Sequence, residues 1–128
     1  MTCITQNLIE ESKSEGIFVV EGEEKLNINE NWINKNSHGI VLFNSNGRIF
    51  KNGLLNNSTA GIVTLGNTNA RLEDNDIEGN EEPDGVCKGS IGVKIIDPSS
   101  PELVENKIRN NAVDVEIESK NSGFRKKM

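Results

Sequence analysis

Five copies of one aliphatic–asparagine pattern, short stretches of period-two hydrophobicity and the lack of any three-turn helical stretch predict an all-β chain. Such a chain winds as a right-handed parallel β-helix, a solenoid of about five coils with an Asn ladder. Composition alone would not say so. Of 128 residues 34% are apolar, and the aromatics are four Phe and one Trp. That is thin for a two-layer core, and only the order of the residues argues against disorder.

The pattern is written around Asn7, Asn31, Asn52, Asn75 and Asn106. An aliphatic residue stands three before each (Ile4, Ile28, Ile49, Leu72, Leu103) and another two after it (Ile9, Ile33, Leu54, Ile77, Ile108). A second polar position follows five after each Asn: Ser12, Asn36, Asn57, Asn80 and Asn111. A glycine then opens a longer alternating stretch, Gly16-Ile17-Phe18-Val19, Gly39-Ile40-Val41-Leu42, Gly61-Ile62-Val63-Thr64 and Gly92-Val93-Lys94-Ile95. The fifth copy reads Ala112-Val113-Asp114-Val115. The asparagines are 24, 21, 23 and 31 residues apart, so each unit has room for three short strands and three turns.

In a solenoid each strand pairs with its copy one coil away, about 4.8 Å along the axis. Aliphatics at equivalent positions then stack in columns. Ile9, Ile33, Leu54, Ile77 and Ile108 form one column, and Ile17, Ile40, Ile62, Val93 and Val113 another. The repeated Asn suits a corner that needs a left-handed residue, and its amide can bond the amides above and below. The recurring Gly admits a bend where a Cβ would clash. Asn52→Leu is therefore expected to cost about 1–3 kcal/mol, and the same change at Asn46 almost nothing.

The pattern N-x-I-x-x-N … G-I-V-x-L and the string Leu72-Glu73-Asp74-Asn75-Asp76-Ile77 resemble the β-helix repeats of the F-box-only ubiquitin-ligase receptors. They also resemble the wider group of carbohydrate-binding and sugar-hydrolase β-helix domains. The resemblance covers about residues 4–124. It implies the fold, and it implies enzymes, adaptors and scaffolds alike. The chain has neither F-box helices nor a zinc-binding tail, so ligase membership is not implied. The expected organisation is one β-helix domain over residues 1–124, in which Phe124 begins a sixth coil, followed by a basic tail at 125–128.

Departures from the period carry the functional expectations. The fourth coil holds an insertion, Glu81-Glu82-Pro83-Asp84-Gly85-Val86-Cys87-Lys88-Gly89-Ser90, which is expected to project as an acidic rim. Asp74-x-Asp76-x-Glu78-Gly79 imitates the start of a calcium loop, but position twelve is Gly85 and the flanks read as strands. No metal and no cofactor is expected. Two cysteines are too few for a disulfide framework or a zinc site.

If the aliphatics after each Gly face inward, the outward column of the long sheet reads Phe18, Val41, Val63, Lys94 and Asp114. A sugar-cleaving site needs two carboxylates about 5–9.5 Å apart, and this column offers one, at its end. His38, the one histidine, sits at a turn. No catalytic residue is expected. The favoured reading is a non-catalytic protein-binding or scaffolding module, a fragment or a subunit of a larger assembly. Its contacts are Phe18, Val41, Val63, Lys94, Glu82, Asp84 and Asp114, and Phe18→Asp with Val41→Asp is expected to abolish binding without unfolding.

The alternative is a carbohydrate-active β-helix, a polysaccharide hydrolase, lyase or sugar-binding module, with Asp97 and Asp114 at its centre. The expected partners are other protein chains, with end-to-end self-association through the open terminal coils. A net charge of −6 argues against nucleic acid. No stretch is apolar enough to span a membrane, and the expected location is intracellular and cytoplasmic.

Overall fold

The computed structural model describes residues 2–20, 26–79 and 90–119. Each coil contributes three strands. The first holds β1 (Thr2–Thr5), β2 (Leu8–Glu10) and β3 (Glu15–Val20), and the second β4 (Leu26–Asn29), β5 (Trp32–Asn34) and β6 (His38–Phe43). The third holds β7 (Gly47–Phe50), β8 (Gly53–Leu55) and β9 (Ala60–Leu65). The fourth holds β10 (Arg71–Glu73), β11 (Asp76–Glu78) and β12 (Ile91–Ile96), and the fifth β13 (Glu102–Val104), β14 (Lys107–Arg109) and β15 (Val113–Glu118). Like strands pair in parallel, giving three five-stranded sheets, β1-β4-β7-β10-β13, β2-β5-β8-β11-β14 and β3-β6-β9-β12-β15.

The columns fall as the repeat requires. Ile4, Ile28, Ile49, Leu72 and Leu103 are in register on the first sheet, and Ile9, Ile33, Leu54, Ile77 and Ile108 on the second. Within the middle coils these side chains and Ile40, Leu42, Ile62 and Val93 have at most 1% exposure. Each such side chain, taken wholly out of water, contributes about 1.5–3 kcal/mol. One column differs from expectation. Val113 pairs with Ile91, and it is Val115 that continues Ile17, Ile40, Ile62 and Val93. The fifth copy lacks the glycine, and its strand enters the sheet two residues out of the aligned register.

The ladder runs through the whole described chain. Asn7, Asn31, Asn52 and Asn75 each donate backbone N–H and side-chain Nδ2 to the Oδ1 of the next Asn, at 2.9–3.1 Å. The remaining amide hydrogen goes back to a strand carbonyl, as from Asn52 to Ile28 at 3.0 Å. A second ladder links Ser12 N–H to Asn36 Oδ1 and Asn36 to Asn57. Its fourth member, Asn80, lies outside the described residues.

The ladder asparagines are not themselves left-handed. The residue before each one is: Gln6, Glu30, Lys51, Asp74 and Glu105 have φ between 52° and 58°. Before the second ladder, Glu11, Lys35, Asn56 and Asn110 do the same. The asparagine is spared the turn so that its amide can serve the neighbouring coil. The glycine column has a steric reason, since a Cβ on Gly61 would stand 2.6 Å from Ile77 Cγ2 and 2.8 Å from the Gly92 carbonyl oxygen. A third corner carries a hydroxyl set that the repeat did not reveal. Thr68 Oγ1 accepts from Ser45 N–H at 3.2 Å and donates to the Leu65 carbonyl at 2.8 Å. Ser99 Oγ bonds Thr64 Oγ1 at 3.0 Å.

Candidate functional site

The long sheet, β3-β6-β9-β12-β15, carries one face into the core and one away from it. The outward face has three rows set by the strand register. Glu15, His38, Ala60, Ile91 and Val113 form the first; Phe18, Val41, Val63, Lys94 and Glu116 the second; Val20, Phe43 and Leu65 open the third. The column read from sequence is thus right for four members and wrong for the fifth. Glu116, not Asp114, stands beside Lys94, because of the two-residue shift at Val113. Asp114 is exposed, level with Gly92.

These side chains make a second apolar cluster of their own. Val41, Ala60 and Val63 form its buried centre, with exposures of 8%, 0% and 6%, and Leu65, Ile91 and Ile96 pack against them. Val41 faces away from the main core as expected, but neighbours on the same face bury it, so the expectation that Val41→Asp leaves the fold undisturbed is not supported. Phe18 and Val20 continue the apolar surface into the open, at 56% and 52% exposure. At the fifth coil the face closes in charge, with Lys94 Nζ 3.7 Å from Glu116 Oε2 and 3.4 Å from Glu118 Oε1. His38 lies in the first row, half-buried, and its Nδ1 makes no hydrogen bond. Glu82 and Asp84, with the rest of the insertion from 81 to 89, lie outside the described residues, as do Phe124 and the basic tail.

Two regions were not singled out from sequence. On the first sheet, Glu73 Oε1 accepts from Arg48 at 3.1 Å and Arg71 at 3.2 Å, and Arg71 also reaches Glu102 at 3.1 Å. Hydrogen bonds from Arg48 and then Arg71 hold the Glu73 carboxyl below the usual carboxylate range. Arg48 also stacks 4.1 Å from the centroid of Phe50. On the second sheet, Trp32 is 48% exposed and stands in register between Leu8 and Gly53. Its ring lies over Gly53, where a Cβ would be 2.8 Å from the indole Cε3. In the sequence the one hint is Gly53 itself, a glycine directly after a ladder Asn where the other copies have Leu8, Trp32, Asp76 and Lys107.

With these features in place, the right handed beta helix region family is found to match residues 2–125. The chain belongs to the right-handed β-helix family. No curated protein and no solved structure matches it. The right-handed β-helix therefore supplies architecture, and function has to be read from its faces. Among the described residues no helix is long and apolar enough to cross a membrane, and no group of three His, Cys, Asp or Glu side chains stands close enough to hold a metal ion.

Proposed function

We propose that this β-helix is a protein-binding module that works through the outward face of its long sheet, between Phe18 and Val63. The observation that carries the reading is the second apolar cluster. A sheet face turned away from the core normally alternates toward polar residues, and this one keeps Val41, Val63, Ala60, Ile91 and Leu65. Contiguous apolar surface of this kind marks contact sites. Phe18 and Val20 are its open part and would enter a partner, while Val41 and Val63 hold the platform beneath.

The partner is a protein that presents an apolar ridge with basic residues beside it, complementary to a chain of net charge −6. An intracellular setting suits the exposed free thiol of Cys3. The carbohydrate-cleaving reading draws less support. On the second row the one carboxylate is Glu116, and both it and Glu118 are engaged by Lys94.

The test is differential capture from the source cells. Phe18→Asp with Val20→Asp should fold and lose specific binding proteins that the wild type and the Ser58→Asp control both retain. Ser58 is exposed on a different part of the coil. Retention of the same proteins by all three would overturn the reading.

A further inference from the structure

The second sheet offers a site of different chemistry, independent of the apolar face and standing whether or not that face docks. A groove of about 630 Å³ runs over Trp32, bounded by Leu8 on one side and Asp76 on the other, with Glu30, Lys51 and Asp74 along its corner. The indole is the floor, and it is fixed rather than loose. One face lies on Gly53, whose missing side chain leaves the room. With the Asn34 amide turned so that its nitrogen faces Glu10, it donates to Glu10 Oε2 at 2.9 Å and its oxygen accepts from the Trp32 Nε1–H at 3.2 Å.

The charge around this floor is three carboxylates to one ammonium. Glu30, Lys51 and Asp74 form no ion pair among the described residues, whereas Asp76 is 3.4 Å from Arg109 through Oδ2. Asp76 Oδ1 is buried and has no hydrogen-bond partner, so this side chain acts on the groove through its charge. A flat aromatic face ringed by carboxylates attracts a cation through the ring quadrupole and through charge-assisted hydrogen bonds together. A guanidinium suits it better than an ammonium. It is planar, sheds water more readily and can stack while its edge donates to carboxylates. The chain holds an example of the arrangement, since Arg48 lies 4.1 Å over Phe50 while donating to Glu73 at 3.1 Å. Over Trp32 no guanidinium of the described residues is seated.

We infer that the Trp32 groove is a receptor for an arginine side chain of a basic segment on another protein. The indole stacks on the guanidinium, Glu30 and Asp74 accept from its N–H groups, Asp76 adds negative charge at the end of the groove, and Lys51 weakens the site and so sets its selectivity.

Trp32 is the only tryptophan in the chain, so intrinsic fluorescence reports this groove and no other. The full chain is titrated with tetra-arginine amide, with tetra-citrulline amide as the uncharged match and a neutral oligosaccharide as the competing class. The expected result is saturable change in Trp32 emission with the arginine peptide alone, weakened by added salt. The triple variant Glu30→Gln, Asp74→Asn, Asp76→Asn should weaken binding by about tenfold or more, and Lys51→Gln should strengthen it. Equal response to citrulline overturns the inference, as does unchanged affinity in the triple variant. A saturable oligosaccharide response that survives the triple variant also overturns it, and assigns the groove to sugar. If the triple variant loses its β-sheet circular dichroism, Lys51→Gln decides: unchanged or weaker arginine binding there refutes the site.

Discussion

Replacing Asn52 by Leu isolates what the ladder contributes. Asn52 is 2% exposed and its side chain makes four hydrogen bonds. Its Oδ1 accepts from the Asn31 backbone N–H and from Asn31 Nδ2, each at 3.0 Å. Its Nδ2 donates to the Ile28 carbonyl and to Asn75 Oδ1, again at 3.0 Å. Leucine has a similar volume and bonds none of them. Asn75 Oδ1 keeps the Asn52 backbone N–H, but both Asn31 donors and the Ile28 carbonyl lose a partner in a place water does not reach. A buried polar group left unpaired costs about 1–3 kcal/mol, so three give roughly 3–9 kcal/mol before relaxation. This exceeds the value expected from the repeat alone. A domain of this size has about 5–15 kcal/mol in all.

Position along the ladder supplies the control. Asn7 Oδ1 accepts from no described coil, and its side chain donates only to Thr5 O and Asn31 Oδ1. Asn7→Leu should cost about 1 kcal/mol, that of its own bonds. Asn46 also differs from expectation, since its Oδ1 accepts from the exposed Asn69 N–H at 3.1 Å. Its replacement should cost about 0.5–1 kcal/mol rather than nothing. Urea unfolding reads the three midpoints, with the slope unchanged if the unfolded state is the same. Equal losses at Asn7 and Asn52, or a loss at Asn52 below about 1 kcal/mol, would refute the claim that orphaned donors dominate.

Other outcomes follow from the same geometry. Gly61→Ala should destabilise by about 1–3 kcal/mol in a thermal melt, because its Cβ meets Ile77 Cγ2 and the Gly92 carbonyl. Val41→Asp should cost about 2–4 kcal/mol, since it places a carboxylate at the buried centre of the outward cluster, whereas Phe18→Asp should leave the urea midpoint nearly unchanged. Lys35→Asn, at φ 59°, should stabilise by about 0.5–1 kcal/mol, read as a higher urea midpoint, as Asn tolerates the left-handed region better. Glu73 has a depressed carboxyl pKa in the fold, so its contribution is present above the ordinary carboxylate range and is lost as pH falls through the folded value. Glu73→Gln should therefore flatten the acid limb of a stability–pH profile, and the difference should shrink in high salt.

What was legible in the sequence is whatever repeats. Asn7, Asn31, Asn52, Asn75 and Asn106 stand at one corner because one amide per coil serves the next, and that recurrence is visible in the letters. The left-handed residues before them are Gln, Glu, Lys, Asp and Glu, a set with no shared side-chain chemistry. Their conformation belongs to the backbone and leaves no composition signal. The hydroxyls Ser45, Thr68 and Ser99 keep the ladder's own spacings of 23 and 31 residues, but they recur in three coils only and change between Ser and Thr, so no single letter marks them. Register failed where the period failed. Ala112 replaces the glycine, and the misplaced Val113 carried Asp114 into a column that belongs to Glu116. Of the faces, the direction of Phe18, Val41 and Val63 followed from period two, but the burial of Val41 and Val63 did not. Burial depends on neighbours from three coils, Ala60, Leu65 and Ile91 among them, which no single stretch displays. The groove over Trp32 needed Gly53 one coil away for the same reason.

The claim that the outward face of the long sheet contacts protein is tested most directly by placing a photo-reactive benzoylphenylalanine at position 18 in the source cells, with the same residue at position 58 as the control. The account predicts a discrete protein adduct at 18 that is missing at 58, and its loss when Val20 is changed to Asp. No adduct at 18, or the same adducts from both positions, would contradict it.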